Sequence, residues 1–415
     1  MAFNHIQKTI AVLAAASLGL VACSSDSSSS SSSEGASSGD TTNVTLTVWS
    51  SQEDQTNDDA WLQTMQAQFA EAHPEYNITW ENAVVSAADA GTTVNQDPSA
   101  AADVYVFAND QLGALLEAGA IGQLSDSGAA QLSEQAADTM AASVTGQDGA
   151  AYGLPIEPNT WFMYYDTSAL TAEDVTNLDT MLEKARVSFP LSNSWYFPAF
   201  YAGAGATFFG EDGLDEAAGI DLGDRAAEVT QYLAELSANP NFINDVDGSG
   251  VGGLQNGSVD VVFSGSWDAA KIEEILGENY GVATLPTFTL GGEQIQMKAF
   301  SGSKAVAYNP NSADTRAAAE FAAFLASADS QKVHYEKNGV IPSDQTLATD
   351  ATISENPVAT ALLTTVDSNS ILQPTVKSMS DFWDPAENFG KAIANRDVTP
   401  ENAAAQTEAF VSQLQ

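Results

Sequence analysis

Cysteine is nearly absent from this 415-residue chain; Cys23 is the only one. That excludes an internal disulfide and any zinc site built on several thiolates. Histidine is scarce too. His5, His73 and His334 lie far apart, and none belongs to a Cys/His/Glu cluster. Neither a Ser-His-Asp triad nor a metal centre is expected, and no motif calls for a cofactor. Basic residues number 13 against 55 acids, for a formal charge of −42. So acidic a chain is a poor partner for nucleic acid or anionic lipid, and an anionic ligand is disfavoured. After the first two dozen residues, no apolar run reaches the ~18–20 residues of a membrane-spanning helix.

The one cysteine stands where it carries information. Lys8 gives a positive start, Ile10 to Val21 an apolar stretch too short to span, and Leu20-Val21-Ala22-Cys23 closes it. The pattern reads as a signal peptide over residues 1–22, and the small residues before Cys23 resemble a lipobox. Cleavage there leaves a lipidated Cys23 at the new N-terminus and, with Lys8 gone, a charge of −43. Residues 23–43 follow as a tether rich in Ser, Gly, Asp and Thr, with seven consecutive serines from Ser27 to Ser33. Such a segment buries too little apolar surface to offset its chain entropy. About 20 flexible residues reach roughly 25 Å. Lipid, tether and globule together imply the extracytoplasmic face of a cell membrane. A Gram-positive surface is favoured over a periplasm.

The remaining ~370 residues exceed one ordinary core, so two lobes are expected. Hydrophobic content of 44% suits a packed globule. Val44 to Trp49 reads as a strand, and Asp58-Asp59 as the start of a helix. Trp61, Met65 and Phe69 fall on one face of that helix, which His73-Pro74 ends. Ile78 to Trp80 and Val104 to Phe107 read as further strands, with a helix from Gln111 to Ala118 stopped by Gly119. This alternation implies α/β lobes with sheets covered on both faces. Trp161 to Tyr165, Val259 to Ser264, Gly281 to Phe288 and Ser303 to Tyr308 read as later strands. Arg225 to Ser237 and Asp314 to Ala326 read as helices. Asp245, Asp247 and Gly248 hint at a calcium loop but lack its other ligands, and read as a polar turn.

Several ordered segments resemble the family 1 extracellular solute-binding proteins of sugar ABC transporters, in particular the maltose-binding branch. They are Trp49-Ser50-Ser51-Gln52-Glu53, Ala102 to Asp110, Tyr152 to Glu157, Asn256-Gly257 to Trp267, Tyr280 to Phe288 and Met379 to Trp383. The resemblance spans Leu46 to Phe410. It implies a periplasmic-binding-protein-like α/β fold with discontinuous lobes: 44–156 with 288–343, and 157–287 with 344–415. Crossings are expected near Glu157, near Thr284 to Thr287 and near Pro342 to Thr349. Hinge closure on a ligand would follow.

A neutral oligosaccharide offers apolar C–H faces and a belt of hydroxyls. Its binding site needs flat aromatic faces and polar groups that give and take hydrogen bonds. By the resemblance, Phe107, Trp195, Tyr196, Trp267 and Trp383 stand at platform positions, Trp195 and Tyr196 with a one-residue uncertainty in alignment. Gln52, Glu53, Asn109, Asp110 and Glu157 stand at polar contact positions. Each has a structural alternative. Phe107 is also an ordinary strand end, Asp110 is placed to cap a helix, and Glu157 is placed to brace the hinge. The basic residues that follow the counterparts of Glu53 and Asp110 in maltose-binding proteins are replaced here by Asp54 and Gln111.

The expected function is non-enzymatic. The chain is read as a monomeric, lipid-anchored receptor that captures an oligosaccharide, malto-oligosaccharide being favoured, and passes it to ABC permease subunits. A receptor for another oligosaccharide, a surface glycan adhesin and a lipid-anchored glycoside hydrolase are the alternatives.

Overall fold

The computed structural model describes residues 41–56, 59–97 and 101–414. The signal segment, Cys23 and the tether as far as Asp40 lie outside the described residues. Thr42 and Asn43, assigned to the tether on sequence, already pair with Tyr76 and Asn77 in a strand that runs Thr42–Ser50. Its side chains at Val44, Leu46 and Val48 point into the core, as a period of two requires.

The first sheet has six strands. In order across it lie Ser370–Leu372, Ala299–Tyr308, Val104–Ala108, Thr42–Ser50 and Tyr76–Val84, with Leu154–Asn159 also pairing to Ala299–Tyr308. Thr42–Ser50 runs parallel to both its neighbours. The second sheet has five strands, ordered Tyr280–Ala283, Phe162–Asp166, Val261–Ser264, Val187–Phe189 and Phe242–Asn244. Its last three run parallel. The chain passes from the first sheet to the second between Asn159 and Phe162, and returns between Ala283 and Ala299. Two sheets, each with its own helices, make the two-lobed α/β fold.

Each lobe has an aromatic core. In the first, the helix Trp61–Ala72 buries Trp61, Met65 and Phe69 at i, i+4 and i+8, and Phe69 meets Phe321 edge-on at 5.1 Å. That helix starts at Trp61 rather than at Asp59, with the extended Ala60 before it. In the second, Trp161, Phe189, Phe200 and Phe288 are fully buried. Burying one such side chain contributes about 1.5–3 kcal/mol, so these rings dominate each lobe's stability. The C-terminal helices Trp383–Ala394 and Ala403–Gln413 join the second core through Phe389 and Phe410, stacked at 4.3 Å.

Gly281 to Phe288 is not one strand. Pro286 lacks an N–H and interrupts the ladder. Tyr280–Ala283 stays in the second sheet, while Thr287–Leu290 turns into a hairpin with Glu293–Gln296. The hairpin is pinned by Gly203, at the end of the helix Pro198–Gly203. A Cβ there would stand 2.2 Å from the Gln296 carbonyl oxygen. Gly203→Ala is therefore expected to lower stability by about 1–3 kcal/mol, the usual range for overpacking, read as a lower urea midpoint at unchanged slope.

Candidate functional site

In open α/β sheets, loops at the carboxyl ends of parallel strands form the binding crevice. The candidate residues fall there. Gln52 and Glu53 follow Thr42–Ser50, and Asn109 and Asp110 follow Val104–Ala108. Trp195 and Tyr196 follow Val187–Phe189, and Trp267 follows Val261–Ser264. Glu157 sits inside the strand that leaves the first sheet.

Register decides the partner of Glu157. Antiparallel pairing sets it opposite Lys304, and the ammonium donates to its carboxylate at 2.7 Å. Ser266 Oγ donates to the other carboxylate oxygen at 3.4 Å, joining the two sheets. Burial disfavours the Lys304 charge, but the carboxylates of Glu157, Asp54 and Glu53 outweigh it and raise the lysine pKa. Lys304 thus stays an ammonium and supplies a cationic donor beside Asp54, where the resemblance had shown one to be missing.

A cavity of about 400 Å³ opens over this pair, lined among others by Glu53, Ile156, Trp267 and Val340. Trp267 keeps 49% of its surface exposed, so its indole is open to contact. The loop that carries Gln52 and Glu53 is anchored by its next residue. Asp54 is buried and bonds His334 Nε2 at 2.8 Å, while Asn338 donates to it and to the Glu53 carbonyl, each at 3.3 Å. His334 in turn stacks on Trp61 with ring centres 4.0 Å apart. No local pattern joins Asp54 to a histidine 280 residues away. Gln52 is exposed, and its carbonyl accepts from Thr56 Oγ1 at 2.8 Å.

A second focus is Gln373, which sequence reasoning missed. Its backbone N–H donates to the Ser301 carbonyl at 2.7 Å, and its own carbonyl accepts from Asn109 Nδ2 at 3.2 Å. Its side-chain oxygen accepts from the Trp195 indole at 2.7 Å, and the side chain also bonds Asp110. Gln373 therefore gathers three candidate residues from two loops, Asn109 on its backbone carbonyl and Asp110 and Trp195 on its side chain. No local pattern marks such a residue, since these three lie between 178 and 264 positions away. Trp195 lies 6.1 Å from Trp267, the planes tilted by 34°, and meets Tyr196 edge-on at 5.3 Å. Trp383 packs edge-on against Phe382 at 5.4 Å and Phe300 at 6.1 Å.

Two candidates take structural places. Phe107 is fully buried, edge-on to Tyr105 at 6.4 Å. Gly153 closes over it, so near that a Cβ there would come 2.9 Å from the ring. No face of Phe107 is open to a ligand. Asn109 is buried beneath Gly302, where a Cβ would strike its Oδ1 at 1.8 Å. It holds Gln373 in place. Asp245, read as part of a polar turn, accepts from the Gly250 N–H at 3.0 Å and Ser249 Oγ at 3.1 Å at the start of the helix Ser249–Asn256. Among the described residues, no group of three His, Cys, Asp or Glu could hold a metal ion.

The profile of bacterial extracellular solute-binding proteins matches residues 64–361. The chain belongs to that family. A maltooligosaccharide ABC transporter solute-binding lipoprotein of Streptococcus pneumoniae is 29% identical over 308 residues, 69% of this chain and 70% of that protein. A solved structure of a protein with acarbose is 44% identical, with a TM-score of 0.85 over 89% of this chain and 98% of that one. The maltodextrin-binding protein MalE1 from L. casei BL23, without ligand, is 27% identical, with a TM-score of 0.82 over the same shares.

Asp110 is an acid whose surroundings disfavour its charge. Burial raises its pKa, against hydrogen bonds from Gln111 and Gln373 that pull it down. Folded Asp110 therefore holds its proton to higher pH than the unfolded chain does. Folding takes up a proton in that window, so stability falls as pH rises through it and the charged form costs stability above it. Asp110→Asn is expected to melt above wild type at pH 7, with the difference shrinking as pH falls towards 4. A lower melting temperature at pH 7 would show that the charge is held at no net cost.

Proposed function

We propose that this protein is a lipid-anchored receptor that captures malto-oligosaccharide between its lobes and delivers it to an ABC importer. The observation that carries the reading is the tilted Trp195–Trp267 pair flanked by two hydrogen-bonding centres, Gln373 with Asp110 and Glu157 with Lys304. Indole faces suit the C–H faces of glucosyl units. Carboxylates accept hydroxyl hydrogens, and an ammonium and amides donate. The names of the relatives point to the same class of ligand.

In this reading Trp195, Trp267 and Trp383 are platforms, with Tyr196 beside them. Gln52, Glu53, Asp110 and Glu157 bind hydroxyls, Lys304 donates, and Asn109 acts by holding Gln373. The lobes are 42–159 with 299–343, and 162–296 with 344–415, the strand Ser370–Leu372 pairing back into the first sheet and Phe288 belonging to the second core. Closure between them is favoured because only the closed form touches the sugar from both sides. The protein acts as a monomer and captures the sugar without cleaving it. Cys23 carries the lipid and the residues from there to Thr41 the tether, on a Gram-positive surface facing the permease subunits.

A thermal-shift panel tests the ligand. Maltotriose should raise the melting temperature of the wild-type protein, since a ligand at 100 times its Kd adds about 2.7 kcal/mol to folded-state stability. Xylo-oligosaccharides, raffinose and lactose should not. Trp267→Ala should keep the unliganded melting temperature yet bind maltotriose at least about tenfold more weakly, ~1.4 kcal/mol, by calorimetry. Equal affinity would take Trp267 out of the site. The anchor has its own check. Cys23→Ser should move the protein from the membrane fraction to the soluble one with sugar affinity unchanged, and a variant still bound to membranes would defeat the lipid assignment.

A further inference from the structure

Gln373 lies on a passage between the lobes. The strand Ser370–Leu372 before it pairs with the first sheet, and Val376 after it belongs to the second core. Its two side-chain partners come from opposite sides of that passage. Asp110 follows the strand Val104–Ala108 of the first sheet, and Trp195 packs against the second core.

The chemistry of the three groups leaves one arrangement. An indole N–H can only donate, so the amide oxygen of Gln373 faces Trp195 and accepts at 2.7 Å. The amide NH2 is left for the Asp110 carboxylate, which takes a hydrogen bond from it. Gln373 is 4% exposed, so bulk water does not replace a lost partner. The backbones are held as well. Gln373 is bonded through its own N–H and C=O to Ser301 and Asn109. The backbone N–H of Trp195 donates to Asn193 Oδ1 at 2.8 Å. The indole therefore turns only about its side-chain torsions, and the bond to Gln373 fixes where they stop. Along the chain the nearest charge to Gln373 is Lys377, whose ammonium is taken by Glu117 at 2.7 Å.

We propose that Gln373 is a positioning residue of the sugar site, which sets the plane of the Trp195 indole by tying it to Asp110 of the first lobe. A platform on one lobe is thus aligned by a carboxylate of the other, and the two halves of the site are set together. The single N–H of Trp195 is occupied by Gln373, so this indole meets a ligand with its face and gives it no hydrogen bond. The proposal rests on the sugar-receptor reading above and adds to it a residue that acts through another.

Calorimetry on the full chain with maltotriose tests it, each affinity taken as a ratio to wild type at the same pH. Gln373→Glu keeps an acceptor for the indole but sets a second carboxylate against Asp110. At pH 7 the like charges should part, turn the indole and weaken binding at least fivefold. At pH 5 a proton shared between the two carboxylates restores a donor, and the loss should shrink at least threefold. Asp110→Asn removes the repulsion. Measured against Asp110→Asn alone, adding Gln373→Glu should then change affinity less than twofold at pH 7, which isolates the pair. Gln373→Leu offers neither partner a bond and should weaken binding alike at both pH values. Should that variant fail to fold, the Gln373→Glu comparisons decide the matter. A Gln373→Glu loss that is equal at both pH values and in both backgrounds, or no loss at all, would overturn the positioning role while leaving the receptor reading in place. Failure of wild type to bind maltotriose would overturn the receptor reading itself, and this role with it.

Discussion

The antiparallel pairing of Leu154–Asn159 with Ala299–Tyr308 is the constraint on which the site depends. A shift of one residue would turn Glu157 to the opposite face of the sheet and leave Lys304 without its carboxylate. Removing either partner would strand a buried charge, which costs far more than the pair gains by forming. The register is therefore held from both sides, by the apolar residues of the strand and by the ion pair. The same strand carries the chain towards the second sheet within three residues of Glu157, so the pair sits beside one of the passages between the sheets. Ser266, arriving from the second sheet, touches that pair directly.

The loops that meet around this point are stiffened by buried polar contacts rather than by regular structure. Asp54 is held by His334 and Asn338, and Gln373 by Ser301, Asn109 and Trp195. Buried hydrogen bonds of this kind contribute only about 0.5–1.5 kcal/mol each to stability, but an orphaned partner costs more. Their effect is to restrict geometry. Each loop presents its candidate groups from a backbone held by these contacts.

Much of the fold was legible in the sequence because it rests on local periodicity. Trp61, Met65 and Phe69 marked a helix face, and alternation in Val44, Leu46 and Val48 marked a strand. The β-α alternation gave the lobes. Boundaries were less legible. The helix start was placed at Asp59 because acids favour a first turn, while the chain begins it at Trp61. Pro286 was seen, yet its consequence, a separate hairpin packed on Gly203, depends on a tertiary contact that no local pattern encodes. The site divided the same way. Resemblance and position marked the candidate residues next to strand ends. Gln373, Lys304 and the Asp54–His334 pair were missed because their roles come from partners more than 140 residues distant. Phe107 went astray for a related reason. A strand-end aromatic reads the same in sequence whether its outer face is open or closed by Gly153.

Trp267 has one more consequence, which is optical. It is the one tryptophan among the described residues that stands largely in solvent, while Trp61 and Trp161 are fully enclosed. An indole in water emits at longer wavelength than one in an apolar setting. A ligand laid on Trp267 would strip water from that ring and shift its share of the emission to the blue, with smaller changes at the half-buried Trp195 and Trp383. The protein thus carries its own reporter of occupancy at Trp267, against a background of enclosed Trp49, Trp61 and Trp161 that would barely respond.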